Sequence, residues 1–124
     1  MFTPERKLQM VRAAIEDLPN VEAELWPGLL ADFAKNHGAC AIVRGVRCVT
    51  DFDGEYQMAQ INREICPGLE TMLLPASAPY QHFSSSMARE MIRYRQPLEK
   101  YLPAPIIPLV AELTENEGGS HHGQ

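Results

Sequence analysis

Two arginines, Arg44 and Arg47, follow the apolar run Ala39 to Val43 and enclose Gly45 and Val46. Guanidinium groups bind phosphate through paired, planar donors, and a glycine lets a ligand approach the backbone closely. The segment is therefore a candidate anion site. The alternative is that these arginines are solvated or paired with carboxylates, as arginines that follow a strand more often are.

Three consecutive serines, Ser84 to Ser86, form a second candidate anion site because they stand where a helix is predicted to begin. Hydroxyl groups and free backbone N–H groups at the positive end of a helix dipole bind anions. The alternative is that one serine only caps the helix. His82 lies beside them, has no identifiable partner for acid–base chemistry, and is interpreted as part of the loop.

Three acidic side chains follow the arginine segment, namely Asp51, Asp53 and Glu55. Carboxylates in a first helical turn complement the helix dipole, which is the simpler interpretation. They could also pair with Arg44 or Arg47, or accept a hydrogen bond from a ribose hydroxyl. Both alternatives remain open from the sequence.

Apolar runs and capping residues predict the elements that position these side chains. Strands are predicted over Val21 to Leu25, Ala39 to Val43 and Leu69 to Leu74. Helices are predicted from the Thr3 N-cap to Leu18 and over Leu29 to Asn36, Asp51 to Ile65, Ser84 or Ser85 to Arg93, and Ile106 to Leu113. A short helix is also predicted after Pro97. Loops are predicted over Arg44 to Thr50 and Pro75 to Phe83. The alternation of helices and strands predicts an α/β fold with a parallel sheet.

Helical spacing also predicts which apolar side chains are buried. These are Leu8, Val11, Ile15 and Leu18 in the first helix, and Met58, Ile61 and Ile65 in the helix from Asp51. One domain is predicted over residues 1–114, followed by a disordered tail over residues 115–124, which has no apolar face.

The composition of the 124 residues, 45% apolar and 22% charged, is that of a globular protein. The formal charge of −5 argues against binding to nucleic acid or to an anionic membrane. We expect no membrane span and no signal peptide. The three cysteines form no CxxC pair, so we expect reduced thiols and a cytoplasmic location. The four histidines do not have the spacing of metal ligands, so we expect no metal site.

Four motifs in order give the chain a specific resemblance. The stretch VRGVR-x-x-x-DF-x-x-E-x-QMAQ-x-NR, followed by LPAS and FSSSMARE, resembles phosphopantetheine adenylyltransferase. The similarity extends from Phe2 to about Pro103. It implies transfer of the adenylyl group of ATP to 4′-phosphopantetheine, giving dephospho-coenzyme A and pyrophosphate in coenzyme A biosynthesis. It also implies that Mg²⁺ accompanies ATP and that the protein forms a homo-oligomer, which in the family is a hexamer.

The resemblance also implies roles for individual residues. Arg44 matches the arginine that holds the phosphate of phosphopantetheine, and Leu30 matches an apolar position that lines the same site. The ATP-binding positions are matched by Gly45, Val46, Arg47, Glu55, Tyr80, Gln81, His82, Phe83, Ser84, Ser85 and Ser86.

The family pattern begins with a strand and a glycine-rich loop that ends in TxGH, and this sequence contains no such motif. The resemblance therefore implies a Rossmann-like nucleotidyltransferase fold with a parallel sheet that lacks the first two strands and the first helix. It implies no catalytic residue in this chain, because the family histidine is absent. Exposed strand edges and apolar surface are expected. The alternative function is a non-catalytic remnant that binds nucleotide or serves only as an assembly partner.

Overall fold

The computed structural model describes residues 2–80 and 84–118. The chain groups into two compact units. One, the central unit, is Trp26–Gln81, and the other, the terminal unit, combines Met1–Leu25 with His82–Gln124. Among the described residues, no helix is both long enough and apolar enough to cross a membrane.

The central unit is a two-stranded parallel sheet with two helices. Helix α2 (Leu30–Asn36) is followed by strand β1 (Ala41–Val46), helix α3 (Val49–Ile65) and strand β2 (Glu70–Pro75). The two strands pair in parallel over their whole length, with Arg44 opposite Leu73. The chain leaves α2 through Gly38, whose φ of 63° is favoured by glycine. The predicted α/β organisation with a parallel sheet is confirmed.

Strand β1 includes residues that the sequence assigned to a loop. Arg44, Gly45 and Val46 belong to the strand, because β2 continues beside them as far as Pro75. The backbone N–H of Ala76 then donates to the Val46 carbonyl at 2.8 Å, which closes the pair. The predicted start of the Arg44-to-Thr50 loop is therefore wrong, and Arg44 is held by the regular hydrogen bonding of a sheet.

Helix α3 begins at Val49, and Cys48 rather than Asp51 occupies the N-cap position. Asp51 lies in the first turn, where its carboxylate accepts a hydrogen bond from the backbone N–H of Arg47 at 3.1 Å. Arg47 precedes the N-cap residue, so this hydrogen bond satisfies a backbone donor just before the helix begins. This explains why an acidic residue is favoured there without being the cap.

The buried face of α3 differs from the predicted one. Met58, Ile61 and Ile65 are exposed, whereas Asn62 is buried. The helix face that lies toward the strands includes Gly54 and Ala59, and α3 leaves space beside the sheet instead of filling it. The compact core of the unit consists of Ala31, Ala34, Ile42 and Leu69.

The other face of the sheet carries exposed apolar side chains. Alternation along the strands places Val43 and Met72 on the face opposite Ile42 and Thr71. Val43, Met72 and Leu74 are all exposed. The described sheet has only these two strands, so each strand has one unpaired edge.

The terminal unit packs helices around a small apolar core. Helix α1 (Pro4–Ala14) is capped by Thr3, whose hydroxyl accepts from the N–H of Arg6, as predicted. Helix α4 (Ser85–Arg93) and helix α5 (Ile107–Gly118) complete the unit. The buried centre is formed by Met10, Ile106 and Val110.

Several predictions for this unit are wrong. Val11 and Leu18 are exposed, because α1 presents Met10 to the core. Residues 21–25 form no strand, and the Ala23 carbonyl instead accepts a weak hydrogen bond from Arg12 at 3.4 Å. Without a neighbouring strand in the described sheet, these residues have no ladder to join.

The end of the chain also differs from the prediction. Turns replace the short helix expected after Pro97, and a 3₁₀ turn over Ala104–Ile106 leads into α5. Helix α5 continues to Gly118 rather than ending at Leu113. Residues 115–118 of the predicted tail thus belong to α5. Residues 119–124 lie outside the described part of the chain, and the single domain over 1–114 remains a prediction.

The variant Val110→Ala tests whether Val110 belongs to the core of the terminal unit. Its side chain is 1% exposed, so Val110→Ala removes packed methyl groups, and we expect the free energy of unfolding to fall by about 2 kcal/mol. Val49 is 84% exposed, and Val49→Ala is the matched control, with an expected change within about 0.5 kcal/mol. Urea denaturation followed by circular dichroism measures both, and equal losses would contradict this core.

Candidate functional site

A cavity of about 460 Å³ lies in the central unit between α3 and the sheet. Its volume is within the usual range for small-molecule sites. Each element of the unit contributes to the walls, which are formed by Leu30 of α2, Ile42 and Arg44 of β1, Thr71 of β2, and Thr50, Asp51, Gly54, Glu55, Met58, Ala59 and Asn62 of α3.

The cavity exists because of the sequence of α3. Its lining residues recur at helical spacing and therefore share one face of the helix. Gly54 and Ala59 on that face have little or no side chain, so the helix approaches the sheet without filling the space. Gly54 occupies the helix interior, where glycine costs about 1 kcal/mol relative to alanine. A β-carbon added there would meet no atom within 4 Å.

Arg44 and Glu55 form a paired ion contact at the cavity wall. Arg44 Nε donates to Glu55 Oε2 at 2.9 Å, and Arg44 Nη2 donates to Oε1 at 2.8 Å. The Arg44 side chain is 50% exposed and that of Glu55 is 20% exposed. Both groups are thus reachable by a ligand, and both are fixed in orientation by two parallel hydrogen bonds.

This contact shifts the ionisation of both partners. The hydrogen bonds to Arg44 lower the pKa of Glu55, and those to Glu55 raise the pKa of Arg44. Both charged forms are therefore favoured. The carboxylate and the guanidinium stay ionised throughout the neutral range.

A second ion pair neighbours the first. Arg47 Nε lies 3.3 Å from Asp51 Oδ2, the same oxygen that accepts from the Arg47 backbone. The structure thus shows the pairing of both arginines with carboxylates that the sequence left open. Both arginines are therefore held by carboxylates, Arg44 by Glu55 and Arg47 by Asp51.

Two polar groups of the cavity were missed by the sequence reasoning. Asn62 is only 5% exposed, and the buried Thr71 hydroxyl has no hydrogen-bond partner among the described residues. A buried unpaired hydroxyl is costly, so its position beside a cavity favours a ligand or water that bonds to it. The signal for Asn62 was its placement on the same helix face as Glu55 and Met58.

The other predicted site residues that the structure describes are not part of this cavity. The cavity is not lined by Gly45, Val46, Arg47 or Tyr80. Tyr80 ends a 3₁₀ turn (Ala78–Tyr80) and is exposed, while Gln81, His82 and Phe83 lie outside the described residues. The structure thus brings together Leu30, Arg44 and Glu55 from the predicted set.

The serines open α4 in the terminal unit. The Ser84 hydroxyl accepts from the Met87 N–H at 3.2 Å, which confirms that one serine caps the helix. Ser86 Oγ lies 3.5 Å from Ser84 Oγ. Ser85 and Ser86 are exposed, so they remain available for a ligand at the helix start.

No group of three or more His, Cys, Asp or Glu side chains with metal-binding geometry occurs within residues 2–80 and 84–118. The three cysteines are free thiols.

The chain is similar in sequence to a known family and to several named proteins. Residues 1–91 match the cytidylyltransferase-like family model. A phosphopantetheine adenylyltransferase of Chloroflexus aggregans is 41% identical over 119 residues, which cover 95% of this chain and 73% of the relative. The proteins of the same name from Heliobacterium modesticaldum and Rhizorhabdus wittichii are 38% and 39% identical, covering 90% and 95% of this chain and 67% and 72% of the relatives.

The lowered pKa of Glu55 predicts a pH-dependent difference between the wild type and Glu55→Gln. A carboxyl group whose pKa is lower in the folded state stabilises the fold above its ordinary pKa, and this contribution disappears as the pH falls through the folded value. At pH 7 we expect the wild type to be more stable than Glu55→Gln by up to about 1 kcal/mol. This advantage should vanish at strongly acidic pH.

Urea midpoints across the acidic range provide the measurement. Glu64 is exposed on the same helix, so Glu64→Gln controls for the loss of one negative charge and should show no comparable trend. A Glu55→Gln difference that stays constant with pH would contradict an ionic contact with Arg44.

Proposed function

Because the chain belongs to the phosphopantetheine adenylyltransferase family, we propose that it transfers the adenylyl group of ATP to 4′-phosphopantetheine. The products are dephospho-coenzyme A and pyrophosphate. The observation that carries this proposal is the cavity that unites Arg44, Leu30, Met58 and Asn62. It offers a guanidinium, apolar surface and an amide to a single ligand.

The cavity matches the chemistry of 4′-phosphopantetheine group by group. The phosphate requires a cation with paired donors, and Arg44 is the only cationic side chain among the lining residues. The arm of the substrate combines methyl and methylene groups with amides. Leu30 and Met58 supply apolar contacts, while Asn62 and the unpartnered hydroxyl of Thr71 supply hydrogen bonds to the amides.

We assign the ATP site to the residues that match the family positions. These are Gly45, Val46, Arg47, Glu55, Tyr80, Gln81, His82, Phe83, Ser84, Ser85 and Ser86. Two features support this assignment: the Glu55 carboxylate can accept a hydrogen bond from a hydroxyl group, and the free N–H groups at the start of α4 suit a polyphosphate.

The chemistry proposed is an in-line displacement at the α-phosphorus of ATP. A phosphate oxygen of 4′-phosphopantetheine forms the new P–O bond, and the bond from the α-phosphorus to the bridging oxygen breaks, so that pyrophosphate leaves with the electron pair. Such reactions depend on positioning and on stabilising charge over the phosphoryl oxygens. Arg44 orients the attacking phosphate, and no side chain of this chain is assigned as a nucleophile or as an acid or base.

Mg²⁺ is proposed to arrive with ATP. This ion is commonly held by substrate phosphates with one or two carboxylates, instead of by a protein cage. Asp51 and Glu55 are the carboxylates at the cavity, and both are engaged by arginines, so they fit at most an auxiliary role. When bound, the ion neutralises charge on the phosphates.

Two further assignments belong to the proposal. The exposed apolar face of Val43, Met72 and Leu74 supports a homo-oligomer. Free thiols and the net charge of −5 support a cytoplasmic enzyme that binds neither nucleic acid nor membranes.

Arg44→Gln tests the phosphate site. Loss of two charge-assisted hydrogen bonds should weaken 4′-phosphopantetheine binding by about 10- to 100-fold in calorimetric titration. Pantetheine, which lacks the phosphate, should bind both proteins equally. Arg63 forms a comparable exposed pair with Glu70 at 2.7 Å outside the cavity, so Arg63→Gln is the control and should bind like the wild type. Equal affinity of the wild type and Arg44→Gln for 4′-phosphopantetheine would exclude Arg44 from the phosphate site.

Thr71→Val tests the amide contacts through two effects of opposite sign. Removing a buried hydroxyl without a partner should raise the stability of the ligand-free chain by about 1 kcal/mol, while pantetheine affinity should fall by about two- to tenfold because the ligand loses a hydrogen bond. In Thr114→Val the hydroxyl lost is bonded to the Val110 and Ala111 carbonyls at 2.9 Å. That control should lose stability and leave pantetheine affinity unchanged. A Thr71→Val protein that binds pantetheine normally would contradict the assignment.

A further inference from the structure

The proposed function assigns Arg44 and Glu55 to different substrates, yet in the structure the two side chains bind each other. Arg44 serves the phosphate of 4′-phosphopantetheine, and Glu55 serves ATP. Their contact uses Arg44 Nε and Nη2 and both Glu55 oxygens. Each residue thus occupies the binding groups that the other offers to its own substrate.

The charges of the cavity decide what happens when a phosphate enters. Among the lining residues the charged side chains are Arg44, Asp51 and Glu55. Asp51 is already compensated by Arg47. A phosphate that approaches Arg44 carries up to two negative charges at neutral pH, and it meets the Glu55 carboxylate on the same guanidinium. Like charges this close repel strongly where water is partly excluded.

The geometry of the guanidinium adds a second reason for exchange. Its Nε and Nη2 edge gives the side-on paired contact with a carboxylate or a phosphate. Glu55 holds this edge at 2.8 and 2.9 Å. The incoming phosphate gains the same paired contact only after Glu55 has left. Glu55 then has a free carboxylate that can accept hydrogen bonds from ATP.

We propose, on the basis of the function assigned above, that the Arg44–Glu55 ion pair couples the binding of the two substrates. Whichever substrate binds first opens the pair, and the second then binds without the loss of that contact. Coupling between binding sites is reciprocal, so each substrate should raise the affinity for the other by the same factor. Exposed ion pairs of this kind contribute little free energy. The expected gain in the affinity for each substrate is therefore limited to about two- to fivefold.

The test is calorimetric titration of the full chain with 4′-phosphopantetheine, alone and with a saturating ATP analogue. The analogue carries a methylene group between the α- and β-phosphorus atoms, so no adenylyl transfer occurs. We expect the analogue to tighten binding to the wild type by about two- to fivefold. Glu55→Gln should bind 4′-phosphopantetheine more tightly than the wild type by the same factor without any analogue, and the analogue should add nothing.

Asp53→Asn is the matched control for this experiment. It removes one negative charge from the same helix, and Asp53 does not line the cavity. It should bind 4′-phosphopantetheine like the wild type and retain the effect of the analogue. A general electrostatic effect of charge removal would instead appear in both variants.

The outcomes separate this inference from the proposed function. Weaker binding of 4′-phosphopantetheine to Glu55→Gln would show that Glu55 holds Arg44 in place for the phosphate, and would overturn the coupling. This comparison requires no analogue. If binding is insensitive to Arg44→Gln, or absent in every variant, the substrate site itself is wrong and the coupling falls with it.

Discussion

The candidate site depends on the parallel pairing of β1 with β2 across α3. The register sets Ile42 opposite Thr71 and Arg44 opposite Leu73, so these side chains lie on one face of the sheet and beneath the helix. A shift of one residue in either strand would turn that strand's side chains to the other face. The guanidinium and the hydroxyl of the cavity therefore share a wall only because the ladder fixes this register.

The same pairing determines why the cavity is open and why the site is charged. Helix α3 connects the two strands and must lie over them, but its inward face carries Gly54, Ala59 and Asn62. Met58 is the only large apolar side chain that α3 contributes to the cavity lining, and it does not close the space. Carboxylates in its first two turns then lie near the end of β1, where they pair with Arg44 and Arg47. The open cavity and the two ion pairs thus both follow from the way α3 connects the two strands.

The sequence predicted the features that depend on local chemistry. The caps at Thr3 and Ser84, the turn at Gly38 and the approximate positions of β1, β2 and α3 follow from short-range rules of capping and apolar runs. It also identified Arg44, Glu55 and Leu30, which the fold brings into one cavity. The roles proposed for them come from the motif order that the chain shares with its family, and the structure adds their geometry.

The failures concern features that depend on the surroundings of an element. Periodicity identified α3 as a helix but selected Met58, Ile61 and Ile65 as its buried residues, whereas all three are exposed and only Met58 reaches the cavity. Periodicity cannot tell which side of a helix faces the sheet. Asn62 was overlooked for the same reason, and Thr71 because a hydroxyl in an apolar strand gives no local signal. The strand predicted over Val21 to Leu25 failed since a strand forms only beside a partner. Only tertiary contacts carry this information.

The central claim is that Arg44 exchanges Glu55 for the phosphate of 4′-phosphopantetheine in the cavity beneath α3. A crystal structure of the chain with this ligand tests it most directly. We expect phosphate oxygens within hydrogen-bond distance of Arg44 Nε and Nη2, with the Glu55 carboxylate displaced from both atoms. A ligand bound outside the cavity, or a phosphate remote from an unbroken Arg44–Glu55 pair, would contradict it.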